Sequence, residues 1–338
     1  MILLLFLAKG VPESSENLEL IFSLLNLEGL KFSITGDFKF LMAWFGLLSN
    51  SSVHPCLYCN KERRKGEWLD KDSQGQEKVV ELRTLGGIET MTAAWIGAGS
   101  KRTTAWTSRF ESCVGMVTVW GEGDTPQTTV LDKCTPPSVH CLLALNSVLR
   151  PHLENIWEGN LWNFLKENIK VVPHSYQGKD GAFEGPQCDK ILNSLEEKLK
   201  PHLLALGEPG KQYYLFLSAF KAFKDTFFGN VLPSNYEEVA ATFTASLSLL
   251  HTTLGFPITP KLHMMSEHVV EWVRRHGRAL GEDSEQAVEA AHASFAALWA
   301  SFCVNDDESA VFLVNGLMAM LKFNADNTNA KMGLIIEE

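Results

Sequence analysis

Cys56-Leu57-Tyr58-Cys59 is the stretch on which the reading of this chain turns. Two thiols separated by two residues can hold one side of a Zn²⁺ ion as a knuckle. They can equally be a redox pair or two buried thiols, and no second C-x-x-C follows to decide between these. A second feature is His263 and His268, just after Pro257 and Pro260, which by themselves read as two polar helix residues as readily as a pair of metal ligands. Five residues of ideal helix turn through about 500°, which sets the two rings about 140° apart. They share an ion only where the helix geometry bends, as it does if His263 stands at or before the helix start. The neighbouring prolines allow that.

Upstream of the knuckle, Ile2 to Ala8 is a short, continuously apolar run. It reads as a central strand buried on both faces rather than as a signal peptide, because no basic residue precedes it and no A-x-A site follows. Pro12-Glu13-Ser14-Ser15 supplies turn and cap residues. Leu18, Ile21, Leu24, Leu25 and Leu27 then recur at helical spacing. A second strand, Leu30 to Thr35, ends at Gly36-Asp37, and an apolar helix follows over roughly Phe38 to Leu48. Strand-helix-strand-helix order is half of an α/β sheet domain.

Downstream, residues 60–80 are charged and read as a loop, and residues 81–134 are ambiguous. From Ser138 helices dominate: 138–150, 151–170, 187–204, 211–228, 235–254, 262–276, 284–302 and 308–322. Helix breakers fall between most of them, among them Gly207-Glu208-Pro209-Gly210.

Two acidic features complete the set. Asp37 stands where α/β sheets place chemistry, at a strand end, although such an Asp is also a common helix cap. Glu285, Glu289 and His292 share one helical face at i, i+4 and i+7, which also suits a solvated acidic face.

The 338 residues are 45% hydrophobic and 21% charged, enough apolar content to build a packed core. The net charge of −10 weighs mildly against autonomous nucleic-acid binding. Seven cysteines, with a single close pair, suggest reduced thiols rather than a disulfide framework. No run approaches the roughly 20 apolar residues of a membrane span.

In order and spacing these features resemble the Transib transposases and the recombination-activating protein of antigen-receptor gene rearrangement, a branch of the DDE transposases. Asp37 stands 19 residues before Cys56, the knuckle follows, and a long helical insertion separates it from an H-x4-H pair. PPSVHCLLALNSVL, containing His140, resembles the helix that opens the family's insertion, and GAFEGPQCDKI at Gly181–Ile191 resembles a turn and helix within it. The likeness spans roughly residues 2–300. It departs in three places. Residues 1–36 contain no Asp, where the family carries its first catalytic Asp on an earlier strand. The Glu segment fits only with one inserted residue, so Glu285 rivals Glu289. Basic residues that follow the family's Glu are here Ala290, Ala291 and Ala293.

The resemblance implies an α/β plus mostly α fold: an incomplete RNase H-like core with a large helical insertion. Residues 1–60 would hold the partial core and knuckle, 61–262 the insertion, and 263–325 the returning helices. It implies a structural Zn²⁺ on Cys56, Cys59, His263 and His268, with His54 as a substitute ligand. Asp37 with Glu289 or Glu285 would be the catalytic-type carboxylates for Mg²⁺ or Mn²⁺. DNA would be the partner, a homodimer the assembly of active relatives, and the nucleus the location, with KERRK at 61–65 a weak targeting candidate. With two of three carboxylates, the isolated chain is expected not to cleave DNA. Two other readings stand beside this one: an active metal-dependent nuclease or transposase whose first segment lies elsewhere, and a zinc-stabilised helical interaction module without a DNA role.

Overall fold

The computed structural model describes residues 31–283 apart from 50, 72–73, 116–119, 159 and 177–178. The expected strand at 2–8, the helix after it, and the helices at 284–302 and 308–322 lie outside the described residues.

The first element of the described residues is α1 (Phe38–Trp44), which buries Phe38, Leu41, Met42 and Trp44. It was expected to run to Leu48 but stops sooner. Gly46 adopts φ +62°, and a Cβ there would come within 2.6 Å of the Gly115 backbone. The chain therefore turns, and residues 47–48 pair with the 112–113 segment. Ahead of α1, Ile34 makes a parallel bridge to Cys134, with Ile34 N–H donating to Lys133 O at 2.9 Å.

The charged 60–80 segment is more than a loop. β1 (Arg63–Arg64) and β2 (Glu67–Trp68) form a tight antiparallel hairpin. In the ambiguous stretch, Thr84 caps α2 (Leu85–Gly97) by accepting from Gly87 N–H. Between 138 and 170 the two long helices expected are broken into short turns, with wide π-type turns at Leu149–Leu153 and Leu165–Ile169. Pro151 has no amide hydrogen to continue an α-helical ladder, which accounts for the first of these.

A second hairpin, β3 (His174–Tyr176) with β4 (Lys179–Ala182), precedes α3 (Gly185–Asn193). The helical body is then α4 (Gly207–Phe227) and α5 (Tyr236–Leu254). In α4, Phe216, Phe220, Phe223 and Phe227 recur on one face and are fully buried. Phe243 of α5 lies 4.6 Å from Phe223 and 5.9 Å from both Phe216 and Phe220, ring centre to ring centre. Burying an aromatic of this kind stabilises by about 1.5–3 kcal/mol, so this stack dominates the packing of the two helices. The Gly207-Glu208-Pro209-Gly210 run does separate two helices, since the preceding one (Lys200–Ala205) ends before Gly207 at φ +73°, but it also forms the first turn of α4, where a proline costs no intrahelical hydrogen bond. α5 ends on Gly255, left-handed at φ +64°.

The last described helices are α6 (Pro260–Glu267) and α7 (Val269–His276). The described residues are thus mostly helical, with two two-stranded ribbons. An RNase H-like sheet is not among them. No helix of the described residues is long and apolar enough to cross a membrane.

Candidate metal centre

The knuckle is a buried turn. Cys56, Leu57, Tyr58 and Cys59 are each at most 1% exposed. Tyr58 N–H donates to Cys56 Sγ at 3.4 Å. The turn is held by Arg83, itself buried. Its Nε donates to Cys56 O at 3.1 Å and its Nη2 to Glu111 O at 3.0 Å, while its Nη1 lies 3.5 Å from the Glu111 carboxylate. A bridge between Cys59 and Leu82 and the bond from Arg83 N–H to Tyr58 O add backbone ties.

The histidines arrive on α6. Thr259 caps it, Pro260 occupies its first position, and His263 follows within the helix. The bend that lets two histidines five residues apart converge is therefore not at the helix start. It lies at His268, which has φ −116° and separates α6 from α7.

The four side chains come together. Cys56 Sγ lies 3.3 Å from His268 Nε2 and Cys59 Sγ 3.4 Å from His263 Nε2. All four donor atoms lie within 4.8 Å of one another, and all four residues are buried. A regular tetrahedron with Zn–S of about 2.3 Å and Zn–N of about 2.1 Å has S···N edges of about 3.6 Å, so the cluster is close to the size of that ion's coordination shell. Burial pushes the Cys56 thiol up. Cys59 is the thiol that ionises first, because its sulfur accepts from Cys56 and from the two imidazoles. Burial holds His263 below its ordinary value, as a neutral ligand. Two thiols, one readily ionised, and a neutral imidazole match what a divalent, thiophilic metal needs.

The surroundings were not foreseen from the sequence. Trp68 of β2 stacks on His263 at 3.9 Å between ring centres, 22° between planes, and its indole N–H donates to Ile258 O at 2.8 Å. A single tryptophan within a charged segment was the available signal. Cys59, His263 and His268 also line the floor of an open cavity of about 950 Å³ beside α5, which offers an entry path for a metal. His54 is not part of the cluster; its Nδ1 lies 2.7 Å from Asn60 O.

The acidic residues are placed only in part. Asp37 is the N-cap of α1, its Oδ1 accepting from Phe40 N–H at 2.7 Å. It is half-buried and lines a cavity of about 600 Å³ together with Lys39, His140 and Lys261. Burial pulls the Lys261 amine below its usual range, with the Asp37 carboxylate acting against that. Glu285 and Glu289 lie outside the described residues. Among the described residues, a buried Cys2His2 cluster able to hold a metal such as zinc is what the geometry establishes. Compared with known proteins, the chain matches no protein-family model and no curated protein at a significant level.

Proposed function

We propose that this chain is a transposase-derived DNA recombinase fragment of the acidic-triad kind, stapled by a structural zinc and not competent for strand cleavage by itself. The observation that supports this reading is the convergence of Cys56, Cys59, His263 and His268 in the order and spacing that the resemblance calls for. Bound zinc would tie the knuckle turn to α6. A site with four protein ligands is closed, so its contribution is to folding.

The described residues do not by themselves make a Mg²⁺ or Mn²⁺ site. Among the described residues Asp37 is the one carboxylate lining its cavity, and Lys39 and Lys261 share that lining. A Mg²⁺ site of this chemistry takes several carboxylate oxygens. In this reading Glu289 or Glu285 would add a second carboxylate, and residues 1–36 supply no Asp for the third. What Asp37 does within the described residues is hold the start of α1. A nuclear location goes with the reading.

The test is to purify residues 1–338 and measure duplex-DNA binding across a salt series, then incubate with supercoiled DNA in Mg²⁺ and in Mn²⁺. Salt-dependent binding without cleavage is expected. A folded, zinc-loaded chain that binds no DNA would favour the zinc-stabilised interaction module. Cleavage that disappears on Asp37→Ala would establish an active nuclease instead.

A further inference from the structure

Many of the basic residues of this acidic chain are neutralised by ion pairs. In KERRK, Lys61 pairs with Asp70 at 2.7 Å and Arg64 with Glu62. On α7, Arg274 pairs with Glu237 at 2.7 Å and Arg275 with Asp132 at 2.9 Å. One stretch combines clustered cations with an absence of acidic residues along the chain. Residues 90–110 contain no Asp or Glu, yet carry Lys101, Arg102 and Arg109. All three are exposed. Lys101 and Arg109 make no ion pair with any described residue, and the next carboxylate along the chain, Glu111, is engaged by Asn60 and Arg83.

These cations are held in place. Lys101 Nζ lies 5.2 Å from the centre of the Trp106 ring, and Arg109 Cζ lies 5.1 Å from the same centre. Arg102 lies 5.8 Å from the Trp95 ring, whose indole N–H donates to Lys101 O at 3.0 Å. Two like charges gathered on one ring lie within about twice either distance, roughly 10 Å, of each other, so they repel. An anion placed between them relieves that repulsion. Because the ring restrains both side chains, little further ordering is lost on binding.

We propose that Lys101 and Arg109, organised by Trp106, form a surface that binds the sugar-phosphate backbone of duplex DNA. Phosphates on one strand repeat at about 3.4 Å of axial rise, so cations within about 10 Å of each other contact nearby phosphates of one strand. Base stacking is not the mode. Trp95 is buried, Trp106 is half-buried, and the cations lie against both rings. Contacts of this kind give affinity and register without reading sequence. The choice of DNA among polyanions rests on the reading proposed above; the charge geometry does not. The segment is also joined to the element that begins at Asp37. Leu48 N–H donates to Ser112 O at 2.9 Å and Val114 N–H to Gly46 O at 2.8 Å, just beyond the end of α1.

The experiment compares the full chain, zinc-loaded, with Lys101→Ala/Arg109→Ala and with a control of equal charge change, Lys166→Ala/Lys211→Ala, after circular dichroism and a melt confirm that each is folded. Binding is followed by anisotropy of a labelled random-sequence duplex over a range of salt. The expected result is a loss of about ten-fold at moderate salt and a log–log salt slope shallower by about 2 for the patch variant alone. Should the wild type bind duplex DNA and the patch variant match it in affinity and slope, the patch assignment is wrong and the general reading survives. Should the wild type bind no DNA, both fail. Preference for duplex RNA of the same sequence, or for vesicles containing phosphatidylserine, also overturns the assignment. If Lys101→Ala/Arg109→Ala does not fold, Lys101→Gln/Arg109→Lys substitutes for it. That pair removes one charge, and a slope change of about 1 is then expected.

Discussion

His268 Nε2 lies 3.3 Å from Cys56 Sγ, although the two residues are 212 apart in sequence. A metal at this point closes a long loop and ties the knuckle turn to α6 and α7. Structural zinc sites carry apparent binding free energies of about 10–16 kcal/mol in small domains. Stripping the metal with a chelator is therefore expected to lower Tm by roughly 10 °C or more, and added zinc should restore it. Differential scanning calorimetry with and without chelator checks this; a Tm indifferent to both would remove the structural role.

Trp68 covers His263 and anchors to Ile258 O. Trp68→Ala should leave the four ligands in place but loosen one imidazole. Changes just outside a ligand shell cost about 10-fold to 100-fold in metal affinity. A competition titration against a zinc chelator dye should show a loss in that range, and an unchanged affinity would mean that the stacking does not hold the ring.

Asp37 separates two roles by chemistry. As the cap of α1 it needs only an acceptor, so Asp37→Asn should melt like wild type while Asp37→Ala loses about 0.5–2 kcal/mol. A metal-binding role needs the charge, so both variants would abolish any metal-dependent DNA chemistry. Urea melts of the two variants make the comparison, and a destabilised Asp37→Asn would show that the charge itself holds the fold.

Glu62 gives a pH signature. Burial raises its carboxyl, but the partners Lys78 and Arg64 outweigh burial and hold it below its ordinary value of 4.5. A depressed carboxylate contributes stability that is complete above the unfolded value and fades as pH falls through the folded one. Glu62→Gln should therefore cost about 1.5–3 kcal/mol at pH 7, and the gap from wild type should narrow below about pH 4. Denaturant melts at pH 7 and pH 3.5 measure both; a gap that persists at low pH would assign the loss to packing.

The metal quartet was legible through the resemblance: a lone C-x-x-C and two histidines five residues apart decide little by themselves, and their order and spacing relative to Asp37 and the helical insertion are what joined them into one site. Its geometry was less so. The bend was expected ahead of His263 and lies at His268, because Thr259 and Pro260 start α6 three residues earlier and leave that end straight. Trp68 was not legible, since a hairpin of two-residue strands has no periodicity to read. The helical body was legible in α4 and α5 through their apolar spacing. The end of α4 and both ends of α5 fell within one residue of expectation, but two boundaries did not: Gly207-Glu208-Pro209-Gly210 is tolerated in the first turn of α4, and Pro151 widens a helix without ending it. Asp37 carried both the cap and the catalytic reading, and the cap is the one its hydrogen bond displays.

The central claim is that Cys56, Cys59, His263 and His268 hold one zinc ion. Elemental analysis of the purified chain by mass spectrometry, with X-ray absorption at the zinc edge, tests it most directly. The account predicts one zinc per chain in a shell of two sulfurs at about 2.3 Å and two nitrogens at about 2.1 Å, with the metal absent from Cys56→Ala/Cys59→Ala. A folded wild-type chain that carries no stoichiometric metal, even after refolding with zinc, would contradict it.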